Sequence, residues 1–137
     1  MNTAAEIMTS DVTAIRETAP LRDAVQALQD LDVRHLPVIN VAHEVVGIIS
    51  DRDLAPLSDR PRTLFQPVSQ VMSSDVLTVE LETDLDEIIE VLTEHRVGAV
   101  PVVDADHKLA GMVSYVDVLR AVAREHQAAK APGASPA

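Results

Sequence analysis

This chain repeats itself, and that constrains its fold more than any other feature. Met8-Thr9-Ser10-Asp11-Val12 stands against Met72-Ser73-Ser74-Asp75-Val76, an offset of 64 residues. Held without gaps, the same offset sets Leu21 on Leu85, Leu28 on Leu92, Val33 on Val97 and Pro37-Val38 on Pro101-Val102. It also sets Gly47 on Gly111, Ser50 on Ser114 and Asp53 on Asp117. One register that accounts for so many positions makes the chain two copies of a unit of about 50 residues. The copies span 5–56 and 69–125, with a linker at 57–68 and a tail at 126–137 expected to be disordered. Residues 55–70, around the join, hold three of the eight prolines: Pro56, Pro61 and Pro67. So short a unit buries too little surface to be comfortable alone. Two copies therefore pack together, and pairing like with like gives a pseudo-twofold axis and two equivalent clefts.

Each copy reads as strand, helix, strand, strand, helix, an α+β unit. In the first, Val12–Ile15 is extended, and Thr18 is expected to cap a helix with Pro20 in its first turn. Leu21, Ala24, Val25, Leu28 and Leu31 then follow at helical spacing. Leu36–Ile39 and Val45–Ile49 read as strands around a polar turn at Asn40–Glu44. The second strand is apolar almost throughout, the mark of burial on both faces. In the second copy Thr83-Asp84-Leu85-Asp86 resembles a capping box with Asp in place of Glu. Leu85, Ile88, Ile89 and Leu92 form the helix stripe. Strands are expected at Ala99–Val103 and Leu109–Ser114, and a last helix at Tyr115–Gln127.

Hydrophobic residues make up 47% of the chain, but Phe65 and Tyr115 are the only aromatics. The core is therefore aliphatic. No apolar run approaches the ~20 residues needed to cross a bilayer, and the first residues lack a basic-then-apolar leader pattern. The chain has no cysteine, so thiolate chemistry and disulfides are excluded, and a cytoplasmic address is the default. A net charge of −11 argues against broad contact with nucleic acid. Nothing resembles a nucleophile with its base and orienting group, nor a Gly-rich phosphate loop, so the chain is not expected to be an enzyme. The five histidines form no ligand pattern, and His43 and His107 fall in matching turns. Asp104 and Asp106 share one of those turns, where solvation outweighs a weak cation site.

Three paired segments carry a family resemblance. They are Ile7-Met8-Thr9-Ser10 with Val71-Met72-Ser73-Ser74, and His35-Leu36-Pro37-Val38 with Ala99-Val100-Pro101-Val102. The third pair is Gly47-Ile48-Ile49-Ser50-Asp51-Arg52-Asp53 with Gly111-Met112-Val113-Ser114-Tyr115-Val116-Asp117. Over residues 5–125 the chain resembles the CBS domains, named after the regulatory region of cystathionine β-synthase. The resemblance implies two repeats packed through small sheets, with AMP, ADP, ATP or S-adenosylmethionine bound in one or both clefts. It also implies a homodimer and a separate target protein, with no catalytic cofactor and no metal.

It further implies site residues. Asp53 and Asp117 would accept hydrogen bonds from a ribose diol, for which a carboxylate offers two acceptors. Ser50 and Ser114 would assist at the sugar or phosphate. The alternative is that Ser-x-x-Asp is a helix start, with Asp complementing the dipole; capping and binding are compatible. Arg34 and His35 precede Pro37, where relatives carry phosphate-binding basic residues; they could equally be surface residues at a helix C-terminus. Their counterparts, Gly98 and Ala99 before Pro101, leave room for a ring or a close backbone, with His95 and Arg96 just upstream. The two clefts are thus unequal in charge. Arg52 has a choice between a phosphate and pairing with Asp51 or Asp53. Thr13 and Thr78, with Val12, Ile15, Val76 and Val79, lie on the opening strands that meet the adenine in relatives; for Ile15 and Val79 core packing is the stronger reading. Tyr115 is placed to stack on a base or simply to pack. The second function open to the sequence is a ligand-free dimerisation or interaction module.

Overall fold

The computed structural model describes residues 2–31, 33–57 and 59–129. Each repeat contributes a three-stranded sheet. The first has the order β1 (Ile15–Arg16), β2 (His35–Ile39), β3 (Val45–Ser50), and the second β4 (Val79–Glu80), β5 (Ala99–Val103), β6 (Leu109–Ser114). In both, the short opening strand runs parallel to the middle one, and the middle strand forms an antiparallel hairpin with the third. Helices α1 (Ala4–Ile7), α2 (Leu21–Leu31), α3 (Asp51–Leu54), α4 (Leu85–Glu94) and α5 (Tyr115–Ala129) complete the described structure. Three 3-10 turns, at Ala55–Leu57, Pro61–Phe65 and Val68–Gln70, carry the chain between the repeats.

Two aliphatic cores result. Leu21, Ala24 and Leu28 from α2 meet Leu36 and Val38 from β2 and Ile49 from β3. Leu85, Ile88 and Leu92 from α4 meet Val100, Val102 and Val113 in the same way. With Leu36 and Val38 turned to the helix side, strand alternation turns Pro37 and Ile39 to the opposite face. Those two are buried as well, so that face is covered too. The hairpin tips meet across the axis: the Val45 N–H donates to the His107 carbonyl at 3.3 Å, and the Leu109 N–H to the His43 carbonyl at 3.2 Å. His43 and His107, in their matching turns, both take the left-handed conformation and stay exposed.

The boundaries of the packing units differ from those of the repeats. Ala4 and Ile7, at the start of the first repeat, are buried in the second core. Val68, from the linker, is fully buried in the first. Backbone hydrogen bonds fix this exchange symmetrically. The Ala4 N–H donates to the Thr83 carbonyl and the Val68 N–H to the Ala19 carbonyl, both at 2.8 Å. Likewise the Leu85 N–H reaches the Asn2 carbonyl (2.9 Å) and the Leu21 N–H the Gln66 carbonyl (2.8 Å).

The exchange explains where local signals failed. Thr18 does not cap α2, which begins at Leu21, because residues 19–21 are held by backbone bonds to the end of the linker. Asp84, not Thr83, caps α4: its carboxylate accepts the Glu87 N–H at 2.9 Å. Thr83 instead accepts the Glu80 N–H through its hydroxyl. The opening strand is shorter than expected, so Val12 and Thr13 precede it. Helix α5 runs on to Ala129, and the rest of the expected disordered tail lies outside the described residues.

Candidate functional site

Both Ser-x-x-Asp motifs sit where the third strand of a sheet turns into a helix. Ser50 is the last residue of β3 and the N-cap of α3. Asp53 Oδ2 accepts the Ser50 N–H at 2.9 Å and the Ser50 hydroxyl at 3.1 Å, and Ser50 Oγ accepts the Asp53 N–H at 3.2 Å. The second repeat reproduces this. Asp117 Oδ2 accepts from the Ser114 N–H (2.9 Å) and hydroxyl (3.1 Å), and Ser114 Oγ accepts the Asp117 N–H at 3.4 Å. The capping alternative is therefore realised at both sites.

What remains for a ligand is the second carboxylate oxygen, and here the repeats differ. Among the described residues nothing donates to Asp53 Oδ1, whereas Asp117 Oδ1 accepts the Thr9 hydroxyl at 3.3 Å. Both aspartates are half-buried, at the rim of the fold rather than within it. The expectation of two acceptors for one diol is thus met by one open oxygen at Asp53 and none at Asp117.

The fold brings other candidates to the same sheet ends. His35 pairs with Ser50 across the β2–β3 ladder, and the Arg34 carbonyl accepts the Asp51 N–H at 3.0 Å. Arg34, His35, Ser50, Arg52 and Asp53 therefore share one edge. Arg34 and Arg52 are exposed, and Arg52 forms no ion pair with Asp51 or Asp53. Burial holds the His35 imidazole below the usual histidine range, against the pull of Asp51 and Asp53. Thr13, exposed, lies two residues before Ile15, which pairs with Val38, and so stands toward the same end of the sheet. Across the axis Ala99 pairs with Ser114, and the Gly98 carbonyl accepts the Tyr115 N–H at 3.2 Å.

Some candidates are placed differently. Pro37 and Pro101 are fully buried and Ala99 is buried, so they shape the strand entries. Thr78 lines a hollow of about 320 Å³ with Glu80, Thr83, Glu87 and Val91, beside α4; Asp117 is not among its lining residues. The Tyr115 hydroxyl donates to the Leu92 carbonyl at 3.3 Å, which ties the ring to the last turn of α4. Sequence reasoning missed the part played by the opening segments. Met8 and Thr9 line a second hollow, of about 270 Å³, with Asp117, Arg120 and Arg124. The repeated Met-Thr/Ser pair was visible in the sequence, but not that each copy crosses to the other repeat. Among the described residues no three His, Asp or Glu side chains gather as metal ligands.

Fold and site together define a class: a tandem of β-α-β-β-α repeats with a Ser-x-x-Asp turn at the end of each sheet. The chain belongs to the CBS domain family, whose model matches residues 4–58 and again 68–124. Among solved structures, the CBS-pair protein CBSX2 of Arabidopsis thaliana, crystallised in complex with AMP, is 29% identical. It superimposes with a TM-score of 0.84 over 92% of this chain and 99% of that one. Hypoxic response protein 1 of Mycobacterium tuberculosis is 29% identical over 126 residues, 88% of this chain and 85% of the relative. Inosine-5'-monophosphate dehydrogenase of Methanocaldococcus jannaschii is 26% identical over 115 residues, 84% of this chain but 22% of the enzyme. The chain thus spans about a fifth of the length of that relative and of the homoserine O-acetyltransferases it also matches.

Proposed function

We propose that this chain is a regulatory module that binds an adenosine-containing ligand at the strand-to-helix turn of one or both of its repeats. The ligand class is AMP, ADP, ATP or S-adenosylmethionine. The observation that carries the reading is Asp53: a half-buried carboxylate with one oxygen locked in its cap and the other without a donor among the described residues. Beside it, Arg34 and Arg52 are exposed and outside any ion pair among the described residues. An open acceptor suits a ribose hydroxyl, and two guanidinium groups suit a phosphate. The AMP complex of CBSX2 supports the adenine nucleotide over other diols. Ligand signals by favouring one arrangement of the repeats over another, and a separate target protein reads the change. The role is binding rather than catalysis, since the enzymes in the family match over only 22% of their length. A cytoplasmic location suits a nucleotide ligand.

The test is thermal unfolding and calorimetry with AMP, ATP and S-adenosylmethionine, on the wild type and on Asp53→Ala and Asp117→Ala. Ligand at about 100 times its Kd adds about 2.7 kcal/mol to stability. Binding by none of the three, or unchanged binding by both variants, overturns the reading.

A second reading rests on its own observation. Tyr115, Val116, Leu119 and Val122 of α5 are 43%, 53%, 66% and 42% exposed. They form an apolar stripe at helical spacing, which favours a homodimer or an interaction module. Sedimentation of Leu119→Glu against wild type tests it; an unchanged mass excludes α5 as the contact.

A further inference from the structure

The two repeats differ at one pair of equivalent positions beside the aspartates, Thr9 and Ser73. Both sit on the edge of the opposite repeat's sheet. Thr9 and Met112 exchange backbone hydrogen bonds at 2.9 and 3.0 Å, as Ser73 and Ile48 do at 2.9 and 3.0 Å. The backbone therefore presents the two hydroxyls alike. Only that of Thr9 reaches an aspartate, at 3.3 Å from Asp117 Oδ1. The Ser73 hydroxyl bonds no group among the described residues, and Asp53 Oδ1 stays open. Thr9 also carries a methyl that Ser73 lacks, and β-branching restricts its χ1.

We propose that Thr9 masks the acceptor oxygen of Asp117, so that the chain takes its adenosyl ligand on Asp53 and binds one molecule rather than two. This deepens the reading above and rests on it. With Oδ2 engaged by Ser114 and Oδ1 by Thr9, Asp117 has no oxygen free of a protein donor. A ribose hydroxyl at the second repeat has to compete with the Thr9 hydroxyl for Oδ1, and Thr9 is anchored by its backbone to β6. At the first repeat no donor among the described residues competes for Oδ1 of Asp53. Thr9 is in this sense a specificity-determining residue, supplied to one repeat by the opening segment of the other.

Titration calorimetry with AMP on the full chain tests this. The wild type is expected to bind one AMP per chain. Thr9→Val, which keeps the shape and removes the hydroxyl, is expected to add a second binding event. Ser73→Ala is expected to leave the count at one. Asp53→Asn retains an acceptor for the cap and is expected to weaken the wild-type site about tenfold or more. Two equal sites in the wild type, or a Thr9→Val protein that still binds one, overturns the inference and leaves the functional reading standing. Binding by no variant overturns both.

Discussion

The sulfur of Met72 lies where a side chain on Gly47 would have to go: a Cβ there would stand 2.5 Å from Sδ and 2.9 Å from the Ser73 carbonyl oxygen. The symmetric pair is Met8 over Gly111, at 2.7 Å from Sδ and 2.7 Å from the Thr9 carbonyl oxygen. These glycines serve close approach, since neither has a positive φ. Thioether tips can shift, but the carbonyls belong to ladders that hold the two repeats together. Gly47→Ala and Gly111→Ala should each cost about 1–3 kcal/mol in urea unfolding. Gly98→Ala is the contrast, because its Cβ would meet the His35 ring at 3.4 Å, and it should cost distinctly less.

The crossed segments predict where damage appears. Ile7 belongs by sequence to the first repeat and by packing to the second core. Ile7→Ala should cost about 2–5 kcal/mol, and hydrogen exchange should show lost protection in β5 and β6 before β2 and β3. Val68→Ala should do the reverse, at about 2 kcal/mol. Damage confined to the neighbouring sequence repeat would refute the exchange.

The two helix caps separate structure from local pattern. Asp84→Ala removes the acceptor for the Glu87 N–H and should cost about 1 kcal/mol. Thr18→Ala, at the cap suggested by sequence, should be close to neutral, because α2 starts three residues later. Equal effects in thermal unfolding would argue against these cap positions.

His35 gives the fold a pH dependence of defined sign. Burial lowers its pKa, with Arg52 and Arg34 adding to the effect and Asp51 and Asp53 opposing it. The unfolded ring titrates near about 6.5, so the folded state prefers the neutral form. Its contribution is complete above that value and is lost as pH falls through the lowered folded value. Tm should decline from about pH 7.5 to about pH 5.5, and His35→Gln should flatten that decline. An identical profile for the variant would show that His35 is not responsible.

Much of the fold was legible because duplication and aliphatic periodicity are one-dimensional signals. The 64-residue register carried the two sheets, and the spacing of Leu21, Ala24 and Leu28 carried the helix face that they bury. The candidate site was legible as residue types: Ser50 with Asp53 and Ser114 with Asp117 do stand at strand-to-helix turns. Which carboxylate oxygen is open was not legible, since it depends on a hydroxyl 108 positions away in the chain.

By itself the sequence determined that there are two units, which faces of their helices and strands are apolar, and that a Ser-x-x-Asp stands at the close of each, because these follow from local periodicity and side-chain chemistry. Tertiary structure decided that each opening segment completes the other unit's core, that the linker seals the first, and that Thr9 rather than solvent meets Asp117. Those outcomes depend on backbone donors and acceptors finding partners across the axis, and no local pattern records which strand edge will supply them.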